Sequence, residues 1–391
     1  MFSNQTVEFG KRVATGLLGV DSLYREETSG GEGLVVVNMA APGELEPEPF
    51  KSYSEAVGWF EALGAEAVHL REPDRKVYYG QLCRSTLAFI EWRELGLPFD
   101  AQLGRFLHVP VAPAPQPELD GICQTIHGLL TEMGYEGDLK AQCSAWEDRN
   151  RISSHEVEGV LSVLLDEAWD RTQERLLKIP APRSDGMRVS CVSGVAFNAR
   201  CDYLNRTIEL NTDPVLTQPG LKHLAVHEGY PGHYVQFKLR ESMYREGLAP
   251  ADNLLSVVNT VSSSVFEGIA DVGLEMLDWI TTDDDRVLGL LNRHRAGIGT
   301  GAAWRLHALA QPRDEVADWL REQSLVGGDG WVDNRMAFVS DPARAVLIWS
   351  YWWGEQVVAP VWKAVPHGRR PEFLRFLYGR MHSNTTVEMV H

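Results

Sequence analysis

The sequence is poor in cysteine and in positive charge, and it has no long apolar run. Its five cysteines (Cys83, Cys123, Cys143, Cys191 and Cys201) are odd in number, widely spaced and without a CxxC pair. That pattern argues against a disulfide framework and against a thiolate zinc site. Buried, reduced thiols are the expectation. Lys and Arg number 37 against 54 Asp and Glu, a formal charge of -17 over 391 residues. A surface of that sign repels phosphate backbones and anionic lipid headgroups, so neither nucleic acid nor membrane is an expected partner. No apolar stretch reaches the roughly 20 residues that span a bilayer. The N-terminal residues lack a sustained apolar stretch and a small-residue cleavage pattern, which reads as a cytoplasmic start. The expected partner is a small-molecule or peptide substrate; composition does not fix an oligomeric state.

What is present is ordinary globular composition, 44 % hydrophobic and 23 % charged, enough to bury a large core. Residues 1–185 read as a mainly helical N-terminal region. The strongest helical pattern is Ser153 to Leu177, with Val160, Leu161, Val163, Leu164, Trp169 and Leu176 near helical spacing. Ser153 is placed to be its N-cap, and Glu156 to complete a capping box. The Pro-rich stretch Val109 to Asp120 is a connector, and Lys178 to Gly186 is a second break. Met187 to Thr212 changes to β-type content with turn residues and reads as two or three short strands. A helix is expected to begin near Gly220 and to carry Leu221 to Tyr244, with a helical pattern from there onward. The predicted fold is mainly α, with a small sheet beside the chemically loaded helix and a metal-binding catalytic region over 186–391.

That helix carries His227-Glu228-Gly229-Tyr230-Pro231-Gly232-His233. A His-Glu pair with a second His nearby is the donor set of a zinc hydrolase: two imidazoles hold the cation and the carboxylate takes a proton from the attacking water. In HExxH the histidines are four apart and share a face. An interval of six turns His233 by about 240°, onto the wrong side of a regular helix. Pro231 cannot donate to the His227 carbonyl, and Gly232 tolerates unusual backbone angles. A two-residue bulge at Pro231-Gly232 would return His233 to the face of His227.

A catalytic zinc needs a third protein ligand and an open position. Glu267 lies in the apolar and small stretch Ser264 to Ala270, where a carboxylate is costly unless something binds it. Asp271, one turn on, shares its face and is placed to accept the second N–H of a ligand histidine. His223 and His227, four apart, form a rival ligand pair. The other His-Glu pair, His155-Glu156, reads as a solvated helix start, and Asp283-Asp284-Asp285 as a solvated loop or helix start.

The string HEGYPGH, followed by a helix with Glu267-Gly268-Ile269-Ala270, resembles the bacterial family catalogued as domain of unknown function 885. That family carries HExxPGHH and a downstream EGWA. The resemblance runs from about Arg188 to the end and includes Arg206 to Thr212. The family is similar to helical gluzincin-type zinc metallopeptidases. Carried over by position, this implies His227, His233 and Glu267 on Zn2+, with Glu228 as base. The departures are Tyr234 in place of the second consecutive His, Ile269 in place of the aromatic residue, and Val272 in place of a Tyr. They touch the pocket wall rather than the ligands.

Amide hydrolysis also needs a donor for the developing oxyanion. Tyr351, His382, Arg380, Arg344 and Tyr230 are candidates, with Tyr351 and His382 favoured by family position. The expected activity is zinc-dependent cleavage of an amide bond in a peptide or small peptide-like metabolite. The alternative is a metal-dependent biosynthetic reaction on a small metabolite: lyase, rearrangement or non-haem iron redox chemistry. Two histidines and a glutamate also suit Fe2+ or Mn2+.

Overall fold

Capping chemistry sets where many of the helices start. Ser3, Ser52, Asp138, Thr217 and Thr282 each accept a backbone N–H from the turn that follows, which satisfies donors that a helix start leaves open. The computed structural model describes residues 2–29 and 33–389, with 65 % of residues in helices and 6 % in strands. The chain is mainly α. Its longer helices are α1 (Asn4–Glu27), α2 (Tyr53–Ala67), α3 (Pro73–Leu95), α4 (Gln116–Glu132), α5 (Leu139–Asn150), α6 (Val157–Arg171) and α7 (Gln218–Leu224). They continue as α8 (His233–Arg245), α9 (Ser263–Asp271), α10 (Asp283–His307), α11 (Arg313–Gln323), α12 (Gly328–Ser340), α13 (Ile348–Ala364) and α14 (Arg370–Tyr378). Among the described residues, no helix is long and apolar enough to cross a membrane.

The chain divides into two units: residues 1–111, 235–268 and 356–391, and residues 112–234 and 269–355. The Pro-rich connector marks the first crossing, although α4 already begins at Gln116 with Pro117 in its first turn, where proline is tolerated. Around residue 186 the chain is tied to Tyr230: the Met187 amide donates to the Tyr230 hydroxyl at 2.6 Å, and Trp169 of α6 packs edge-on against Tyr230 with ring centroids 4.9 Å apart. The later crossings fall inside α8, α9 and α13, so those helices are continuous through them.

In the first unit, β1 (Val35–Asn38) pairs antiparallel with β5 (Leu255–Val257). The interior holds polar groups in matched pairs: Tyr79 donates to Asp252 at 2.8 Å, and the buried Arg75 donates to the Met381 carbonyl at 2.8 Å.

In the second unit, β2 (Arg188–Val192), β3 (Ala199–Asp202) and β4 (Thr207–Asn211) form a sheet in the order β2-β4-β3. β2 is parallel and β3 antiparallel to β4, so β3 is an outer strand. Ile126 and Leu130 of α4, Trp146 of α5, and Val287 and Leu291 of α10 form an apolar core. α10 also anchors α7. Lys222 Nζ lies 2.8 Å from Asp285 Oδ2, and the same oxygen accepts from the Thr281 and Thr282 amides. The triple Asp therefore begins a helix, but Asp285 is buried as part of its capping box.

Two local expectations are corrected. α6 starts at Val157, and Glu156 sits at its N-cap without a side-chain bond. Ser153 instead accepts the Glu156 amide with its carbonyl, in a turn. The helix also ends at Arg171, passing into a wider π turn, Thr172–Leu176. All five cysteines are free, but only Cys83, Cys143 and Cys201 are buried; Cys191 is exposed.

Candidate metal centre

The histidine-bearing segment is built by a change of helical pitch. α7 gives way to one π-helical turn, Ala225–Gly229. The Tyr230 amide donates to the Ala225 carbonyl at 3.0 Å, and the Gly232 amide reaches back to Val226 at 2.9 Å. The chain leaves the helix at Tyr230, with φ -130 and ψ 117, and α8 begins afresh at His233. The expected two-residue bulge is thus a full break between two helices. Its effect is the one the spacing required: the His227 and His233 rings lie 4.6 Å apart, edge to face.

Gly232 permits this return. A Cβ there would lie 1.9 Å from the His227 carbonyl oxygen and 2.4 Å from that of Val226. Both are backbone atoms that cannot step aside. Gly232→Ala is expected to destabilise the fold by about 3 kcal/mol or more and to weaken metal retention, as read by thermal denaturation and metal content. Unchanged melting would contradict this packing.

Asp271 at the end of α9 orients His227: its Oδ1 is 2.9 Å from His227 Nδ1. A carboxylate there holds the proton on Nδ1 and leaves the Nε2 lone pair for a metal. Glu267 precedes Asp271 by one turn of the same helix. Ligand atoms of His227, His233 and Glu267 all lie within 4.8 Å of one another. Bonds of about 2.1 Å from a central cation need separations near 3.5 Å, so modest side-chain closure suffices. His227 and His233 are buried and Glu267 is half-buried. The donor types and the oriented imidazole fit a divalent metal.

His223, His227 and Asp271 form a second such group, with His223 Nε2 3.9 Å from Asp271 Oδ1. A metal on His227 Nε2 keeps the Asp271 hydrogen bond, whereas one shared with Asp271 competes for it. Burial, together with neighbouring His227, pushes the His223 imidazole down to about 4, so it is neutral at pH 7.

Glu228 is buried beside His227. Its carboxylate acts on Cys201 of the outer strand β3, whose thiol is pushed well up by burial and then by Glu228. This juxtaposition of the glutamate with a sheet edge was not visible in the sequence. Tyr234, where the family carries histidine, donates to the Asp185 carbonyl at 2.9 Å.

The candidate oxyanion donors each have neighbours of their own. Tyr230 is buried with its hydroxyl bonded to Met187. Tyr351 is half-buried on α13, its ring 6.4 Å from that of Phe338, with Arg335 and Arg344 nearby. His382 belongs to the first unit. Its Nε2 is 3.0 Å from the Phe376 carbonyl and its Nδ1 3.4 Å from Thr386 Oγ1. Burial, with Arg75 nearby, pushes that imidazole down to about 3. Arg380 pairs with Asp74 at 2.9 Å.

No protein-family model matches the chain, and no curated protein matches it. Its fold is similar to that of two solved structures. One is described as a "putative lipoprotein" from Colwellia psychrerythraea, with a TM-score of 0.53 at 14 % identity. The match covers 86 % of this chain and 59 % of that one, so this chain spans about three fifths of its length. The other, described in the same words and as of unknown function, is from Shewanella oneidensis. Its TM-score is 0.50 at 10 % identity, over 86 % of this chain and 70 % of that one. At these identities the likeness is one of fold alone.

Proposed function

We propose that the chain is a zinc-dependent hydrolase of gluzincin-like architecture, cleaving an amide bond in a peptide or small peptide-like metabolite. The observation that carries this reading is the convergence of His227, His233 and Glu267 ligand atoms within 4.8 Å, with His227 held by Asp271. The resemblance of HEGYPGH to domain of unknown function 885 supports the same reading.

His227, His233 and Glu267 would hold the metal. A zinc ion so bound supplies Lewis acidity, polarising a carbonyl and lowering the pKa of water toward about 7. Glu228 accepts the proton of the attacking water and returns it to the leaving nitrogen. Asp271 keeps the His227 tautomer fixed through the cycle. The outer edge of β3, beside Glu228, offers backbone donors and acceptors that suit an extended amide substrate.

Elemental analysis of protein expressed without added metal tests this. The expected result is about one equivalent of zinc, removed by chelator together with activity on a panel of dipeptides and N-acyl amino acids. Iron or manganese at that stoichiometry, without amide cleavage, would favour the biosynthetic alternative.

A further inference from the structure

Away from the histidines, the second unit holds two arginines on one indole. Arg295 of α10 and Arg335 of α12 place their guanidinium carbons 5.3 Å and 5.6 Å from the ring centroid of Trp331. Trp331 and Arg335 are four apart on α12 and share its face. Gly327, just before α12, makes room: a Cβ there would lie 2.7 Å from Arg295 Nη2 and 2.6 Å from the Trp331 Cβ.

Among the described residues neither Arg295 nor Arg335 is in an ion pair. Glu147 acts on Arg295 only at longer range, and Arg335 itself opposes Arg295. Burial pushes Arg295 down to about 10 and lowers Arg335 as well. Arg295 Nε, Arg335 Nε and the Trp331 indole nitrogen are all buried without a protein acceptor, and Trp331 is 1 % exposed. Two like charges and three orphaned donors around one ring are costly as core structure. They are complementary to an oxyanion, since guanidinium forks match a planar two-oxygen group. On a chain of net charge -17, such a cationic spot stands out against its surroundings. Asn334, next to Arg335 in sequence, donates to the Val195 carbonyl at 2.9 Å, in the loop leading to β3.

We propose that Arg295, Trp331 and Arg335 form a binding site for a carboxylate. This site stands independently of the hydrolase reading.

The test is thermal melting of the full chain as purified, at fixed ionic strength, with acetate, succinate, N-acetylphenylalanine, its primary amide, and inorganic phosphate. A parallel series is run after chelator treatment. At least one carboxylate is expected to raise the Tm saturably, while the amide does not. Arg295→Met and Arg335→Met should each weaken that response at least tenfold, and Arg335→Lys, which keeps charge but loses the fork, should also weaken it. Without ligand, Arg335→Met should melt no lower than the parent, because it removes a half-buried cation that has no ion-pair partner; a purely structural arginine would lower the Tm.

The proposal is overturned if no carboxylate gives a saturable shift. It is also overturned if the amide works equally well, or if phosphate outcompetes every carboxylate. A shift that is lost on chelation but survives in both methionine variants would assign the binding to a metal instead. Failure here leaves the metal content and amide cleavage untouched, so the two readings fail separately.

Discussion

Glu228→Gln is expected to lower turnover by about 10³- to 10⁴-fold with metal content unchanged. The substitution is close to isosteric and leaves His227, His233 and Glu267 in place; it removes only the proposed proton acceptor. Glu228 is buried beside His227, in the same π turn, so the amide should occupy the same space without repacking. Paired measurement of kcat and bound metal separates the outcomes. Near-parental turnover would remove Glu228 from the chemistry, whereas loss of metal would recast it as a ligand.

His233→Ala is expected to strip the site. It deletes one of the three proposed protein ligands, so affinity should fall by more than the roughly 10- to 100-fold typical of losing an outer-shell partner. Asp271→Asn is the graded comparison, because it alters only the hydrogen bond to His227. His223→Ala is the control for the rival group of His223, His227 and Asp271, and should retain metal. If His223→Ala lost the metal and His233→Ala kept it, the cation would belong to the rival group. The break between α7 and α8 would then serve packing alone.

Much of the site was legible because its signals are local. Pro231 and Gly232 implied a bulge that returns His233 toward His227; the structure has a full break there instead, and the rings do meet. Asp271 was placed beside a ligand histidine from one turn of spacing after Glu267, and its oxygen lies 2.9 Å from His227 Nδ1. The three strands between Met187 and Thr212 followed from β-type content between turn residues.

What was not legible depends on distant parts of the chain or on elements too short to show a period. β1 and β5 are four and three residues long, below the length at which alternation can be read. The π turn depends on which carbonyl each amide finds, not on composition. Ser153 had the right chemistry for a cap, but its carbonyl was taken up in a turn. Each of the two units is assembled from segments far apart in sequence. Arg295 and Arg335 are far apart in sequence, and only the fold puts both against Trp331.

Anomalous diffraction at the zinc edge, from crystals of the protein as purified, bears most directly on the central claim. One peak is expected at about 2.0–2.2 Å from a nitrogen of His227, a nitrogen of His233 and an oxygen of Glu267. A map without that peak in active protein, or with its peak on His223 and Asp271 instead, would contradict it.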